Sequence, residues 1–297
     1  VKIRIQHRTS YFYADRVSFG EHHLMLRPRE GHGTHLEKCS FDIFPHHRIR
    51  WMRDPYENHV GLVDFTEASA ELVIACEFIV ESCDENPFNF IISSDAIEYP
   101  FNYEHDLSAE LLPLTQIIYP RDTERVRDWL DQFWHPGKRI ETLELLQQIN
   151  GSIYRTFRYR RREERGVQSP AETLEKNSGS CRDFACLFME ACRLLGLATR
   201  FVSGYMYSAE ITGRMSMHAW AEVYLPGAGW IGFDPSWGIL AASQYIPVAV
   251  SRHPEHCTPI SGTYIGTPRV FLRTQVDLYV SQSLELAPVV PEIAVLD

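Results

Sequence analysis

The sequence predicts an α+β protein: an antiparallel, sandwich-like β domain over residues 1–112, then a core over residues 113–297 in which a buried helix packs on antiparallel strands and a further strand extension follows. Three patterns carry this expectation. Ile3, Ile5, His7, Thr9, Tyr11 and Tyr13 share one parity, as do Leu72, Ile74, Cys76, Phe78 and Val80, which is the period of strands with one covered face. Phe184, Leu187, Phe188, Ala191, Leu194 and Leu195 fall at the spacings of one helix face, and Gly196 supplies a stop. Residues 217–225 and 229–235 alternate on either side of a Pro226-Gly227-Ala228 turn, the pattern of a hairpin.

Taken in order, the first region is broken by turn-prone stretches at 28–33 and 53–58, with no helix-length periodicity between them. Past Pro113 the character changes. Asp122 or Thr123 can cap a helix carrying Val126, Trp129, Leu130 and Phe133, stopped by Pro136-Gly137. A second helix has Leu143, Leu146, Ile149 and Ile153 on one stripe. Ser169-Pro170-Ala171-Glu172 announces a third, combining an N-cap serine, proline at the first helical position and a capping-box glutamate. The helix with Phe184 comes next, with Cys181 in its first turn, and 200–205 reads as a strand.

Composition narrows the function. A formal charge of -10 disfavours a general polyanion-binding surface, so neither nucleic acid nor membrane is expected as a partner. No apolar run reaches the length of a spanning helix, and the alternating first residues read as a strand rather than a signal-peptide core, so a cytoplasmic location is expected. Seven cysteines, with no repeated spacing and no CxxC pair, argue against a disulfide framework and leave thiols free for chemistry.

A cysteine attacks carbonyls only as thiolate, and the unpaired N–H groups of a helix start favour that form. Cys181 has that position, behind the small residues Ser178-Gly179-Ser180, and its own N–H is a potential oxyanion donor. Cys186 and Cys192 lie deeper in the helix and read as packing residues. A general base is needed beside the sulfur, and His218 opens the alternating strand. With a three-residue loop, Val223 faces Ile231 and Ala221 faces Phe233, which places Asp234 opposite Trp220 and diagonal to His218, about 7 Å away between backbones. Cys181, His218 and Asp234 are therefore the candidate catalytic residues.

The segments 179–185 (Gly-Ser-Cys-Arg-Asp-Phe-Ala), His218-Ala219-Trp220 with Glu222-Val223, and Gly232-Phe233-Asp234-Pro235 resemble the core motifs of the bacterial transglutaminase-like superfamily. The resemblance extends through 195–205, to 245–252 and to the β-rich first region. It implies a papain-like transglutaminase core, with Cys181 as nucleophile, His218 as base and Asp234 as orienter. It further implies a cysteine protease or amidase working through a thioester acyl-enzyme on a protein or peptide substrate, with acyl transfer to an amine, or a binding module that keeps the fold without turnover, as alternatives. Animal cross-linking enzymes carry tryptophan after the nucleophile; this chain has Arg182.

Arg182 and Trp220 are the candidate substrate-binding residues. Asp183 reads equally as a first-turn carboxylate favoured by the helix dipole. Six arginines between 155 and 165, with Glu163 and Glu164 among them, read as an acidic-substrate site, as a nucleic-acid site that the net charge disfavours, or as a solvated loop. His22, His23, His32, His35, His46 and His47 lack a carboxylate or cysteine at ligand spacing, so neither metal nor other cofactor is expected.

Overall fold

The alternating segments of the first region become β1 (Lys2–Phe19), β2 (His22–Leu24), β3 (Thr34–Phe44), β4 (His47–Arg53), β5 (His59–Phe65) and β6 (Ser69–Ser82) in the computed structural model. It describes residues 1–31, 33–83, 86–162, 164–208, 216–267 and 270–282. The middle of the chain follows with β7 (Glu98–Tyr99), α1 (His105–Thr115), α2 (Thr123–Leu130), β8 (Ile140–Glu141), α3 (Thr142–Thr156), β9 (Arg158–Tyr159), α4 (Pro170–Lys176), β10 (Ser178–Gly179) and α5 (Cys181–Leu194). The last third holds β11 (Thr199–Met206), β12 (His218–Leu225), β13 (Gly229–Asp234), β14 (Ile239–Leu240), β15 (Tyr245–Ser251), β16 (Ile260–Ser261), β17 (Tyr264–Ile265) and β18 (Phe271–Ser281).

The first region is two antiparallel sheets. One has the order β3, β6, β1, with β18 on the far side of β1 and β17 at its end; the other runs β4, β5, β2, β16. Ile3, Ile5, Leu72 and Phe78 of the first sheet share one buried cluster with Leu24 and Val63 of the second, so the alternation seen in sequence is that of two facing layers. The strand extension after the core does not lie on the core: β16 pairs with β2, and β17 and β18 pair with β1.

The core sheet is antiparallel with the order β14, β13, β12, β11, β15. Phe201, Ala219, Ala221, Val223, Leu225 and Phe233 form one apolar cluster with α5, and Leu145, Leu146, Ile149 and Ile153 of α3 join it. Fully burying each large apolar side chain contributes roughly 1.5–3 kcal/mol. On β11 and β15, Tyr205, Ile246 and Val248 belong instead to the cluster of the first region, so the core sheet is covered on both sides. In α5 only Arg182 and Leu194 escape full burial, because Glu190 and Arg193 are paired at 2.7 Å and saturated by backbone. Arg193 donates to the carbonyls of Leu114, Thr199 and Arg252, and Glu190 accepts the N–H groups of Ile118 and Tyr119.

Three local features differ from the sequence patterns. α1 spans position 112, where the sequence predicts the end of the β region; only Leu111 and Leu114 are buried in it and Pro113 interrupts its ladder, so it has no amphipathic signature. α2 ends at Leu130, and Phe133 closes a turn on the Leu130 carbonyl. Asp122 gives its own helix no side-chain cap; its carboxylate accepts the Ala171 N–H at 2.9 Å and so caps α4, where Ser169 also accepts from Glu172. No described helix is long and apolar enough to cross a membrane.

Candidate functional site

Cys181 stands at the first position of α5 because the sequence before it builds a stiff cap. The Asp183 carboxylate, fully buried, accepts the Ser180 N–H at 2.7 Å and the Ser180 hydroxyl at 2.8 Å. Its other oxygen accepts the Gln168 N–H at 2.7 Å and the Arg162 guanidinium at 2.6 Å. A second anion at this helix start would oppose a thiolate; the Arg162 pair neutralises Asp183 while leaving the helix dipole to the sulfur. Gly179 has no room for a side chain, since an added Cβ would lie 2.8 Å from that of Asp183.

The hairpin of β12 and β13 has the register Ala221↔Phe233, Val223↔Ile231 and Leu225↔Gly229, which a three-residue loop requires. Gly227, at φ +83°, makes the turn. This register brings Asp234 to His218: His218 Nε2 lies 2.5 Å from Asp234 Oδ2. His218 also faces Cys181 and acts on its thiol, and with Nε2 committed to Asp234 the nitrogen left for the sulfur is Nδ1. Asp234 is held in turn by the Ser236 N–H at 2.8 Å and the Tyr245 hydroxyl at 2.7 Å.

The charge states follow from these partners. Burial pushes the Cys181 thiol up, but the hydrogen bond and charge of His218, with the Ala219 N–H, outweigh it and the net shift is downward. Burial pulls His218 down, yet the Asp234 charge and hydrogen bond, reinforced by Cys181, raise it to about 10. Burial pushes Cys186 and Cys192, on the same helix, strongly upward, and neither the Arg193 charge nor, at Cys186, the Tyr119 phenol offsets it. The site can therefore hold a thiolate–imidazolium pair.

The two other residues marked in the sequence sit differently. Trp220 is 2% exposed, stacked 6.3 Å from the His218 ring and edge-on to Tyr245, so it walls the histidine and has no face left to contact a substrate. Arg182 is half-buried and donates to the carbonyls of Arg162 and Glu164, so it ties down the arginine-rich stretch. Tyr224 and Trp230 are cross-strand partners packed at 5.3 Å, with Arg200 over the Trp230 ring.

Two tyrosines join the site that the sequence patterns do not mark. Tyr245 comes from β15, and no local pattern reveals that it reaches Asp234. Tyr159 comes from β9, which pairs in parallel with β10 so that Tyr159 stands opposite Gly179; burial and the facing Cys181, which it hydrogen-bonds, push its phenol upward. The alternation Phe157-Arg158-Tyr159-Arg160 is the available signal for that strand.

Of the histidines considered for metal, His22 bonds the Gly20 carbonyl, His23 pairs with Glu21, His46 bonds Thr66 and His47 the Pro45 carbonyl. His35 lies 3.8 Å from Glu30, and His32 falls outside the described residues.

Residues 136–235, which include all three candidate catalytic residues, match the transglutaminase-like superfamily core, and residues 3–81 match the bacterial transglutaminase-like N-terminal region. Uncharacterised proteins of Mycobacterium tuberculosis and Mycobacterium bovis are each 27% identical to this chain, over 93% of it and 92% of their own length. The crystal structure of a candidate cysteine protease from Cytophaga hutchinsonii has the same fold, with a TM-score of 0.71 at 16% identity, covering 97% of this chain and 92% of that one.

Proposed function

We propose that this chain, whose core belongs to the transglutaminase-like superfamily, is a cysteine-dependent hydrolase of peptide or amide bonds with Cys181 as nucleophile, His218 as acid and base, and Asp234 as orienter. The observation that carries the reading is the 2.5 Å His218–Asp234 contact beside a thiol whose pKa is lowered although the thiol is buried.

In the proposed reaction the Cys181 thiolate adds to the carbonyl carbon, and the oxygen, now an alkoxide, faces the Cys181 N–H at the helix start. Imidazolium N–H of His218 then protonates the leaving nitrogen, the C–N bond breaks and a thioester remains. Neutral His218 next takes a proton from water, whose oxygen attacks the thioester; the thiolate departs and a carboxylic acid is released. Asp234 stays ionised throughout, fixing the ring and stabilising its charged form. If an amine replaced water in the second half, the same site would transfer the acyl group instead.

Intact mass spectrometry of wild type and Cys181→Ser, incubated with a pool of peptides and amides with and without a primary amine, tests this. A Cys181-dependent adduct or cleaved product is expected, and amine incorporation would assign transfer over hydrolysis. A thiol at Cys181 as unreactive as that of Cys186, with no adduct or product, would leave the non-catalytic binding module.

A further inference from the structure

The arginine-rich stretch between residues 155 and 165 holds six arginines and two glutamates in a chain of formal charge -10. In a solvated loop the backbone would be free. Here the Arg158 N–H donates to the Asn177 carbonyl at 2.9 Å and the Arg160 N–H to the Gly179 carbonyl at 2.8 Å, closing the parallel β9–β10 pair. Arg162 is anchored on buried Asp183, and Arg182 donates back to the carbonyls of Arg162 and Glu164 at 3.3 and 3.2 Å. The residues on both sides of Cys181 thus clamp this stretch beside the nucleophile.

One arginine, Arg162, is spent on that clamp. Arg158, Arg160 and Arg161 are exposed, and among the described residues none has a carboxylate partner. Tyr159, 49% exposed, connects Arg161 to the chemistry: its phenol faces Cys181, and the Arg161 charge acts on that phenol, whereas Arg158 and Arg160, its neighbours along the strand, leave from the opposite face. Arginine offers a planar fork matched to carboxylates, and among the described residues its charge here has no carboxylate paired with it, at a place where the protein's overall negative charge would otherwise repel an anion.

We propose that Arg161, held beside the nucleophile between the Arg160 N–H bond to Gly179 and the Arg162–Asp183 pair, is the carboxylate-binding residue of a subsite for an acidic peptide next to the amide that Cys181 attacks. This rests on Cys181 being the nucleophile. An acidic peptide is favoured over a nucleic acid because a thiolate has an amide carbonyl to attack in the one and no acyl group in the other, and because a net charge of -10 opposes a long polyanion.

The test compares two reagents of similar size on the full chain, anionic iodoacetate and neutral iodoacetamide, with the alkylation rate read at each cysteine by peptide mapping. The imidazolium of His218 also attracts iodoacetate, so the informative quantity is the iodoacetate-to-iodoacetamide rate ratio at Cys181 in wild type against Arg161→Gln, with Arg158→Gln on the opposite face as the control. That ratio is expected to fall about fivefold in Arg161→Gln and by much less in Arg158→Gln. A peptide rich in glutamate should slow Cys181 alkylation by iodoacetamide in wild type, and its glutamine counterpart should not. An unchanged ratio, or protection by a single-stranded oligonucleotide without protection by the acidic peptide, overturns the subsite while the nucleophile stands. Alkylation of Cys181 no faster than that of Cys186 by either reagent overturns both.

Discussion

The molecule contains two buried clusters of histidine, tyrosine and cysteine, and they behave in opposite ways. Where β1 and β6 meet the core sheet, His7 is 4% exposed, stands opposite Cys76, and bonds the Tyr205 hydroxyl at 3.1 Å and Thr9 at 3.0 Å. At the start of α5, His218 is 9% exposed, bonds Asp234 and faces Cys181, while Tyr245 bonds the same Asp234. Burial pulls His7 down to about 4 and pushes Cys76 up, so that cluster is neutral. His218 is raised to about 10 and Cys181 lowered. The ingredients and the depth are alike; at the histidine the difference is one carboxylate, and at the cysteine it is the facing imidazolium together with the helix start and the Ala219 N–H. Burial disfavours charge in both places, and a fixed anion 2.5 Å from the ring is what chiefly reverses the outcome at His218.

Removing that anion should make the second cluster behave like the first. Asp234→Asn is expected to lower turnover by about 10⁴-fold, to bring the His218 titration below its ordinary range and to return the Cys181 thiol upward. Steady-state rates with a substrate found by the mass screen, together with NMR titration of the ring, check this; a His218 that stays charged at neutral pH would break the comparison.

The neutral cluster makes a prediction of opposite sign in pH. The folded pKa of His7, about 4, is below the unfolded value of 6.5, so the unfolded chain binds the extra proton between them. Stability is therefore full above pH 6.5 and is lost as pH falls toward 4, by about 3 kcal/mol from this residue. Urea unfolding at several pH values should show that loss, and His7→Gln should flatten the slope. His218 contributes with the reverse sense, its charged form being favoured in the fold up to about pH 10.

Smaller still is the effect of the second group on the carboxylate. Tyr245→Phe removes the 2.7 Å hydroxyl bond to Asp234 and should lower kcat about tenfold with KM little changed, since the phenol is buried against that carboxylate. It should also shift the acid limb of the rate profile, which simple loss of packing would not do.

How much of this is legible in the sequence follows the range of each interaction. The β12–β13 pairing is local and a three-residue turn fixes its register, so the alternation of residues 217–235 is enough to place Asp234 beside His218. Cys181 is legible from its place ahead of a buried stripe. Tyr245 is not, because β15 reaches the site through its pairing with β11, as at Tyr205↔Ile246, and no periodicity encodes a contact between strands so far apart in the chain. The pairing of β16, β17 and β18 with β2 and β1 is hidden for the same reason. Alternation marks Trp220 as sharing the face of His218, but it does not encode the packing of Tyr245 and Val202 that closes the indole off.

The central claim is that His218 holds Cys181 as a thiolate at neutral pH. It is tested most directly by following iodoacetamide alkylation of each cysteine between about pH 6 and 9 in wild type and His218→Ala. The expected result is a Cys181 rate already near its plateau at neutral pH in wild type, far above those of Cys186 and Cys192, and a rate that in His218→Ala becomes slow and rises only in the alkaline range. A Cys181 rate that matches the two interior cysteines, or that is unchanged when His218 is removed, would contradict it.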